Sequence, residues 1–502
     1  MKRLLAAIPI ALAATLNATP PTESRPAAEF LVVSTDRLSV LALAAEVNRR
    51  PFADKWSEAV AAIFADADVD GNGSLDEQEA KRVLSALRVR QLDWGYQWAV
   101  PQAAAWGELD TAPSDGKVTR EELAAYYHRQ MIDAPQIGAA QAVPGSVLTD
   151  ALLKHLDANH DGQVSEAEWK RADVALSALD QDDDELIRPT ELVARTMYPG
   201  SVGSAMLLPP TTSQTLPKLL ADFPLVRLPA NLKEPVPLPA HTTRFTADTN
   251  GDGVLSDTEL TLLRKSVGNA SITFQLGDRK PGDDDATQTP GGPTGIRFVT
   301  YTVPSTLIDD FTAGRKAALE RFAAADADGD GFLDAAEVKN AGNAHLRDHF
   351  AFADRNGNHR LARSEWEAYL ALRSHLVGAQ VTVTIFDHGR GLFEVLDADG
   401  DGALSVRELR IAWARLTALG CAPGGHFEAS KLPRTVRIVA SRGRPQSLLR
   451  ILPRVGPVWF QAMDRNRDGD VSRREFVGSD DAFRKLDADH DGLISSDEAV
   501  AK

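Results

Sequence analysis

The chain has 502 residues, 43% hydrophobic and 25% charged, with a net charge of −16. That length corresponds to roughly two to four domains. The acidic balance argues against a nucleic-acid-binding face, which needs a basic surface, and a lone Cys421 leaves no pair for an internal disulfide.

In chain order, residues 1–18 carry Lys2 and Arg3 and then a short apolar run interrupted by Pro9, the pattern of a secretory signal peptide. Residues 19–49 read as an N-terminal lead-in. A first repeat region is expected over 50–200, a Pro-rich extended linker over 201–239, a second repeat region over 240–373 and a third over 380–502. Within the second, 278–295 is rich in Gly, Pro and Asp and reads as a disordered insertion. Segments 271–276, 296–303, 380–386 and 435–440 carry β-branched residues in partial alternation and predict short strands. No later segment is apolar for long enough to predict a membrane span.

The repeats are nine twelve-residue segments, best seen in D-A-D-G-D-G-F-L-D-A-A-E from Asp326 to Glu337. Oxygen-bearing residues or backbone carbonyls recur at positions 1, 3, 5, 7, 9 and 12. In the first region the sets are Asp68, Asp70, Asn72, Ser74, Asp76 and Glu79; Asp157, Asn159, Asp161, Gln163, Ser165 and Glu168; and Asp180, Asp182, Asp184, Leu186 and Glu191. In the second they are Asp248, Asn250, Asp252, Val254, Ser256 and Glu259; Asp326, Asp328, Asp330, Phe332, Asp334 and Glu337; and Asp354, Asn356, Asn358, Arg360 and Glu365. In the third they are Asp397, Asp399, Asp401, Ala403, Ser405 and Glu408; Asp464, Asn466, Asp468, Asp470, Ser472 and Glu475; and Asp487, Asp489, Asp491, Leu493, Ser495 and Glu498.

This pattern suits a hard cation. Calcium takes about 6–8 oxygens at about 2.3–2.6 Å, with side chains at positions 1, 3 and 5, a carbonyl at 7, a donor or water at 9, a bidentate Glu at 12 and a turn glycine at 6. Position 8 is apolar in all nine segments, and a Phe stands four residues before the first ligand in six of them, as at Phe64, Phe322 and Phe393. The flanks therefore predict helices with one apolar face. The loops from Asp248, Asp326, Asp397 and Asp487 keep every donor and the glycine, and are expected to bind most tightly. Those from Asp180 and Asp354 have Glu185 and His359 in place of the glycine, and are expected to be weaker. A tenth segment, 110–122, aligns with Thr111 and Pro113 at positions 1 and 3 and reads as a structural relic.

The chain resembles exported bacterial proteins with multiple EF-hand repeats. The resemblance implies a mainly α fold of helix–loop–helix units with short β-strands between some of them, Ca2+ as the bound ion, and a secreted or periplasmic location. Close loop pairs, Asp157/Asp180 and Asp464/Asp487, leave little room between loops. The segment 169–179 reads as one helix of about 17 Å shared by two loops, so that the loops pair with other repeats, while Gly478 kinks the equivalent segment of the last pair.

Catalytic motifs of the G-x-S-x-G, P-loop, H-E-x-x-H or C-x-x-C kinds are absent from the sequence, so a non-enzyme is expected. His345 and His349 lie four apart on a predicted helix and read as an ordinary solvated face. Five Met residues do not make the Met-rich groove of a calcium sensor. Structural or buffering calcium binding is therefore the leading reading. The alternatives are a calcium-dependent cell-surface scaffold with a protein or glycan partner, and a calcium-regulated enzyme with a site near His388, Arg390 and His426.

Overall fold

A computed structural model describes residues 28–33, 37–93, 98–111, 113–132, 135–140, 142–200, 206–207, 225–228, 235–238, 247–266, 268–277, 286–289, 295–340 and 344–501. The leader at 1–18, residues 19–27 and most of 201–239 and 278–295 lie outside the described residues.

The strands in chain order are β1 (Ala28–Val33), β2 (Leu38–Val47), β3 (Arg50–Pro51), β4 (Gln136–Ala140), β5 (Met206–Leu207), β6 (Leu225–Leu228), β7 (Val236–Pro237), β8 (Val254–Leu255), β9 (Ala270–Leu276), β10 (Ala286–Gln288), β11 (Ile296–Thr302), β12 (Phe332–Leu333), β13 (Leu361–Ala362), β14 (Thr382–Arg390), β15 (Arg434–Ser441), β16 (Asp470–Ser472) and β17 (Leu493–Ser495). One sheet runs β10-β9-β2-β1-β6 with β3 on β2, and a second runs β11-β15-β14-β4-β5. The expectation of a mainly α fold is thus corrected. Of the described residues, 42% are helical and 21% are in strands, a mixed α/β fold. Several helices flanking the loops are short, as in Glu166–Trp169 and Ser496–Val500, and the two large sheets are built from segments between the loops.

The four predicted strands appear as β9, β11, β14 and β15. Their side chains explain why. In β9, Ile272, Phe274 and Leu276 alternate inward, the period of a strand with one face buried. In β15, residues Thr435 to Ser441 are all buried, as befits a central strand covered on both faces. The sheets also recruit segments without a predicted strand. β1 and β2 fall within the 19–49 lead-in, β6 and β7 within the Pro-rich 201–239, and β10 within the 278–295 insertion.

The largest hydrophobic cluster draws Phe30, Leu41, Phe64, Tyr127, Ile272, Ile385 and Ile438 into one core, so the sequentially separate regions share it. Smaller clusters sit under the loops. Phe322, Leu333, Leu361 and Trp366 form one, and Phe460, Val471, Phe483 and Ile494 another. Burying each such side chain contributes about 1.5–3 kcal/mol.

The proposed shared helix of 169–179 is two pieces, Glu166–Trp169 and Ala172–Leu176, broken at Arg171 with φ −117° and ψ 15°. Its two loops do pair elsewhere. The last two loops, however, pair with each other through β16 and β17 despite their close spacing. There the exit helix of the first loop is reduced to a turn, cinched by Arg473 onto Asp480, which lets the second loop fold back. Among the described residues, no helix is long and apolar enough to cross a membrane.

Candidate metal centres

Each loop grows out of the helix before it. The last helical hydrogen bond delivers the first acidic residue, as when Asp68 N donates to Phe64 O (2.8 Å), Asp397 N to Phe393 O (2.8 Å) and Asp464 N to Phe460 O (2.8 Å). The chain then turns twice through left-handed backbone. At position 6, φ is 82° at Gly73, 83° at Gly331 and 87° at Gly469, and the glycine-less loops adopt the same turn at Glu185 (66°) and His359 (62°). Position 4 is left-handed too, with Gly71, Gly329 and Gly400 but also His160, Asp183, Arg467 and His490. The sequence reading missed this position because only part of the set is glycine.

The turns aim backbone N–H groups at the carboxylates. In seven loops the position-6 N–H donates to the Oδ2 of position 1, for example Gly162 to Asp157 (2.9 Å) and Gly492 to Asp487 (3.1 Å). In all nine the position-7 N–H donates to the oxygen of position 5, as Phe332 to Asp330 (2.9 Å). The final Glu closes the ring by accepting from both ends: Glu498 takes Ala488 N (2.7 Å) and Ser495 N (2.8 Å). A Ser at position 9 adds a reciprocal capping box at Ser165, Ser256, Ser405 and Ser495.

These residues fit a calcium ion. Oδ1 of Asp326, Asp354, Asp464 and Asp487 is buried and has no hydrogen-bond partner, a costly condition for a carboxylate oxygen unless a cation meets it. Acidic trios converge at Asp68/Asp70/Glu79, Asp180/Asp182/Glu191, Asp326/Asp328/Asp330, Asp397/Asp399/Glu408 and Asp487/Asp489/Glu498. The other four loops carry an asparagine at position 3, Asn159, Asn250, Asn356 and Asn466, whose oxygen is neutral. All nine position-8 residues are buried, from Leu75 and Leu255 (0% exposed) to Val164 and Ile187 (3%).

Loop pairing departs from chain order. Leu75 and Val118 exchange backbone hydrogen bonds (2.8 and 2.9 Å), so the first loop pairs with the tenth segment. Ile187 and Leu404 do the same (3.0 and 2.9 Å), joining the loop at Asp180 to that at Asp397, while β12 pairs with β13. Two loops pair with segments outside any loop: that at Asp248 through β8 with the strand β7, and that at Asp157 through an isolated bridge between Ser165 and His426.

The tenth segment is in a different phase from the one expected. Asp110, not Thr111, takes the first position: its carboxylate accepts from Asp115 N (3.2 Å) and Gly116 N (3.1 Å). One extra residue between Asp110 and Gly116 hid this alignment. In the loop at Asp180, Arg188 reaches inward to Asp184 (2.5 Å) and Asp182 (3.4 Å), placing a guanidinium among the carboxylates that an ion needs.

The loop at Asp397 is the most deeply set. Asp397 is fully buried and its Oδ2 accepts from Arg437 Nη2 at 2.9 Å, with neither side chain exposed. Arg437 comes from the central strand β15 and lies over the rings of Tyr198 (5.4 Å) and Tyr301 (5.7 Å). Burial, then the neighbouring carboxylates, pushes Glu408 up to about 8 and Asp401 up to about 7. Burial likewise takes Asp468 to about 8. Such carboxyls hold protons that a bound cation displaces. An Arg inside an apolar β-run and Glu394 inside Leu392–Leu396 were the sequence signals for this buried cluster, and the sequence reading passed over both.

Glu394 is fully buried, both its oxygens lack hydrogen-bond partners, and burial raises it to about 7. His388 Nδ1 is 3.5 Å from Glu394 Oε1. Because the unfolded chain ionises Glu394 from 4.5, stability falls as pH rises from there to about 7. His388, lowered to about 3 by burial, acts oppositely between 3 and 6.5. Glu394→Gln is therefore expected to gain about 3 kcal/mol over wild type between pH 4.5 and pH 8, measured by denaturant unfolding in saturating calcium. A difference independent of pH would refute this.

The other sequence candidates do not assemble. His349 is buried rather than on a solvated face, with Nδ1 2.8 Å from the Tyr369 hydroxyl. Arg390 donates to Ser430 O and Leu432 O, His426 bridges to Ser165, and His388 Nδ1 lies by Val143 O (3.3 Å) and Glu394.

Acidic loops between helices, closed by a terminal Glu and bridged through buried apolar residues, have the arrangement of calcium-binding EF-hand repeats. A family model described as EF hand matches residues 149–173, 319–340, 390–411, 458–477 and 480–498. These hold the loops at Asp157, Asp326, Asp397, Asp464 and Asp487. No curated protein and no solved structure matches the chain.

Proposed function

We propose that the chain is an exported, non-catalytic protein in which nine loops hold calcium as a structural component. The observation that carries this reading is the repeated buried, unpartnered Oδ1 at position 1 within one hydrogen-bond frame. That frame extends to loops outside the family matches, at Asp68, Asp180, Asp248 and Asp354. Calcium supplies positive charge there, offsetting carboxylates that otherwise repel one another. The ligands are the residues of each set named above, six in seven loops and five in the loops at Asp180 and Asp354, where water completes the coordination.

A structural role is supported by how the loops are wired together. Arg407, inside one loop, reaches Asp470 (2.6 Å) and Asp491 (3.0 Å) in two others, and Arg360 pairs with Asp330. Loops tied into one another and into the sheets suit a fixed framework better than a groove that opens. The apolar leader supports export, where calcium is plentiful enough for weak sites. Calorimetric titration of the calcium-free chain tests the reading. Nine ions are expected, with the Asp180 and Asp354 loops filling last; five or fewer would confine calcium to the matched loops and sink the nine-loop reading.

A further inference from the structure

A second kind of site lies away from the loops. A cavity of about 320 Å³ opens where the helices Phe52–Ala67, Leu307–Ala325 and Arg363–Gly378 meet the β2–β3 turn. Its volume falls at the lower end of the range of small-molecule sites, about 300–1,000 Å³. Lys55, Arg315 and Arg442 line it against a single carboxylate, Glu58. That carboxylate is already held by Lys55 (3.0 Å) and Arg50 (2.6 Å). In a chain of net charge −16, a concave surface of this sign stands out.

Two further features mark the cavity as built. Arg315 Nε is buried with no hydrogen-bond partner, so a guanidinium is half sunk at the wall with nothing described to meet it. The rim is formed by the two-residue β2–β3 hairpin turn: Asn48, which lines the cavity, and Arg49 have φ of 52° and 62°, the left-handed pair that a tight hairpin turn uses. The turn is clamped against Gly277, where an added Cβ would fall 1.8 Å from Asn48 Oδ1.

We propose that this cavity binds a small oxyanion carrying at least two negative charges, a phosphate ester or a di- or tricarboxylate, with Arg315 as its principal contact. Guanidinium groups favour such ligands because their planar fork matches paired oxygens. Its three helices flank the calcium loops at Asp68, Asp326 and Asp354, but none of its lining residues belongs to a ligand set.

Calorimetry on the calcium-loaded full chain at low ionic strength tests this, with sulfate and succinate as probes. Saturable binding of at least one probe is expected. Arg315→Ala should weaken it tenfold or more without moving the melting temperature, and Arg315→Lys should retain part of it. Preference for sulfate assigns a tetrahedral group, and preference for succinate a carboxylate. The proposal is overturned if neither probe binds, or if Arg315→Ala binds as wild type does.

Discussion

Stripping calcium with excess chelator is expected to lower the melting temperature by about 10 °C or more and to loosen the loops before the sheets. A site saturated a hundredfold above its Kd contributes about 2.7 kcal/mol, and a few such sites match the roughly 5–15 kcal/mol by which a native domain is stable. Without the ion, the buried Oδ1 atoms of Asp326, Asp354, Asp464 and Asp487 lose the partner that their placement requires. The pair of loops at Asp464 and Asp487 should open first. Its cluster is small, around Phe460, Val471, Phe483 and Ile494, and separate from the main core. Hydrogen exchange should show protection lost there while β2 and β15 hold theirs. Superimposable melts with and without chelator would remove the structural role.

Arg437→Met is the second large effect. The guanidinium bonds Asp397 at 2.9 Å and the hydroxyls of Tyr198 (3.0 Å) and Tyr301 (3.1 Å), entirely out of water. Removing one partner of a buried pair costs about 3–5 kcal/mol, because the remaining charge is stranded. Calcium in the loop neutralises Asp397 too, so the cost should shrink as calcium rises. Urea unfolding at limiting and at saturating calcium reads this out. The exposed pair Arg363–Glu367 serves as the control, since breaking it should cost at most about 1 kcal/mol at either concentration. An Arg437→Met protein as stable as wild type at limiting calcium would mean that Asp397 is not held by this contact.

What was legible in the residues was local. The donors of Asp326–Glu337, the apolar Leu333 and the Phe322 before them declare an ion, a turn and a buried face within one short window, and the structure places Leu333 and Phe322 in one cluster. The four strands read from β-branched runs also formed. The mainly α expectation failed because the repeats dominated the pattern while the sheets took segments with no repeat. Residues 38–47 became β2, which pairs in parallel with β9, Leu41 opposite Ala270. A pairing across that span leaves no periodic trace in either strand alone.

Twelve adjacent residues are enough to specify the chemistry of each loop, because ligand identity and the turns that aim the ligands lie within that window. Which loops join, such as Ile187 with Leu404, and which carboxylates sit in a low-dielectric interior beside Arg437 depend instead on packing between distant segments. Those outcomes follow from burying apolar faces contributed by distant segments. The burial in turn raises the carboxyls of Glu394, Asp401 and Glu408.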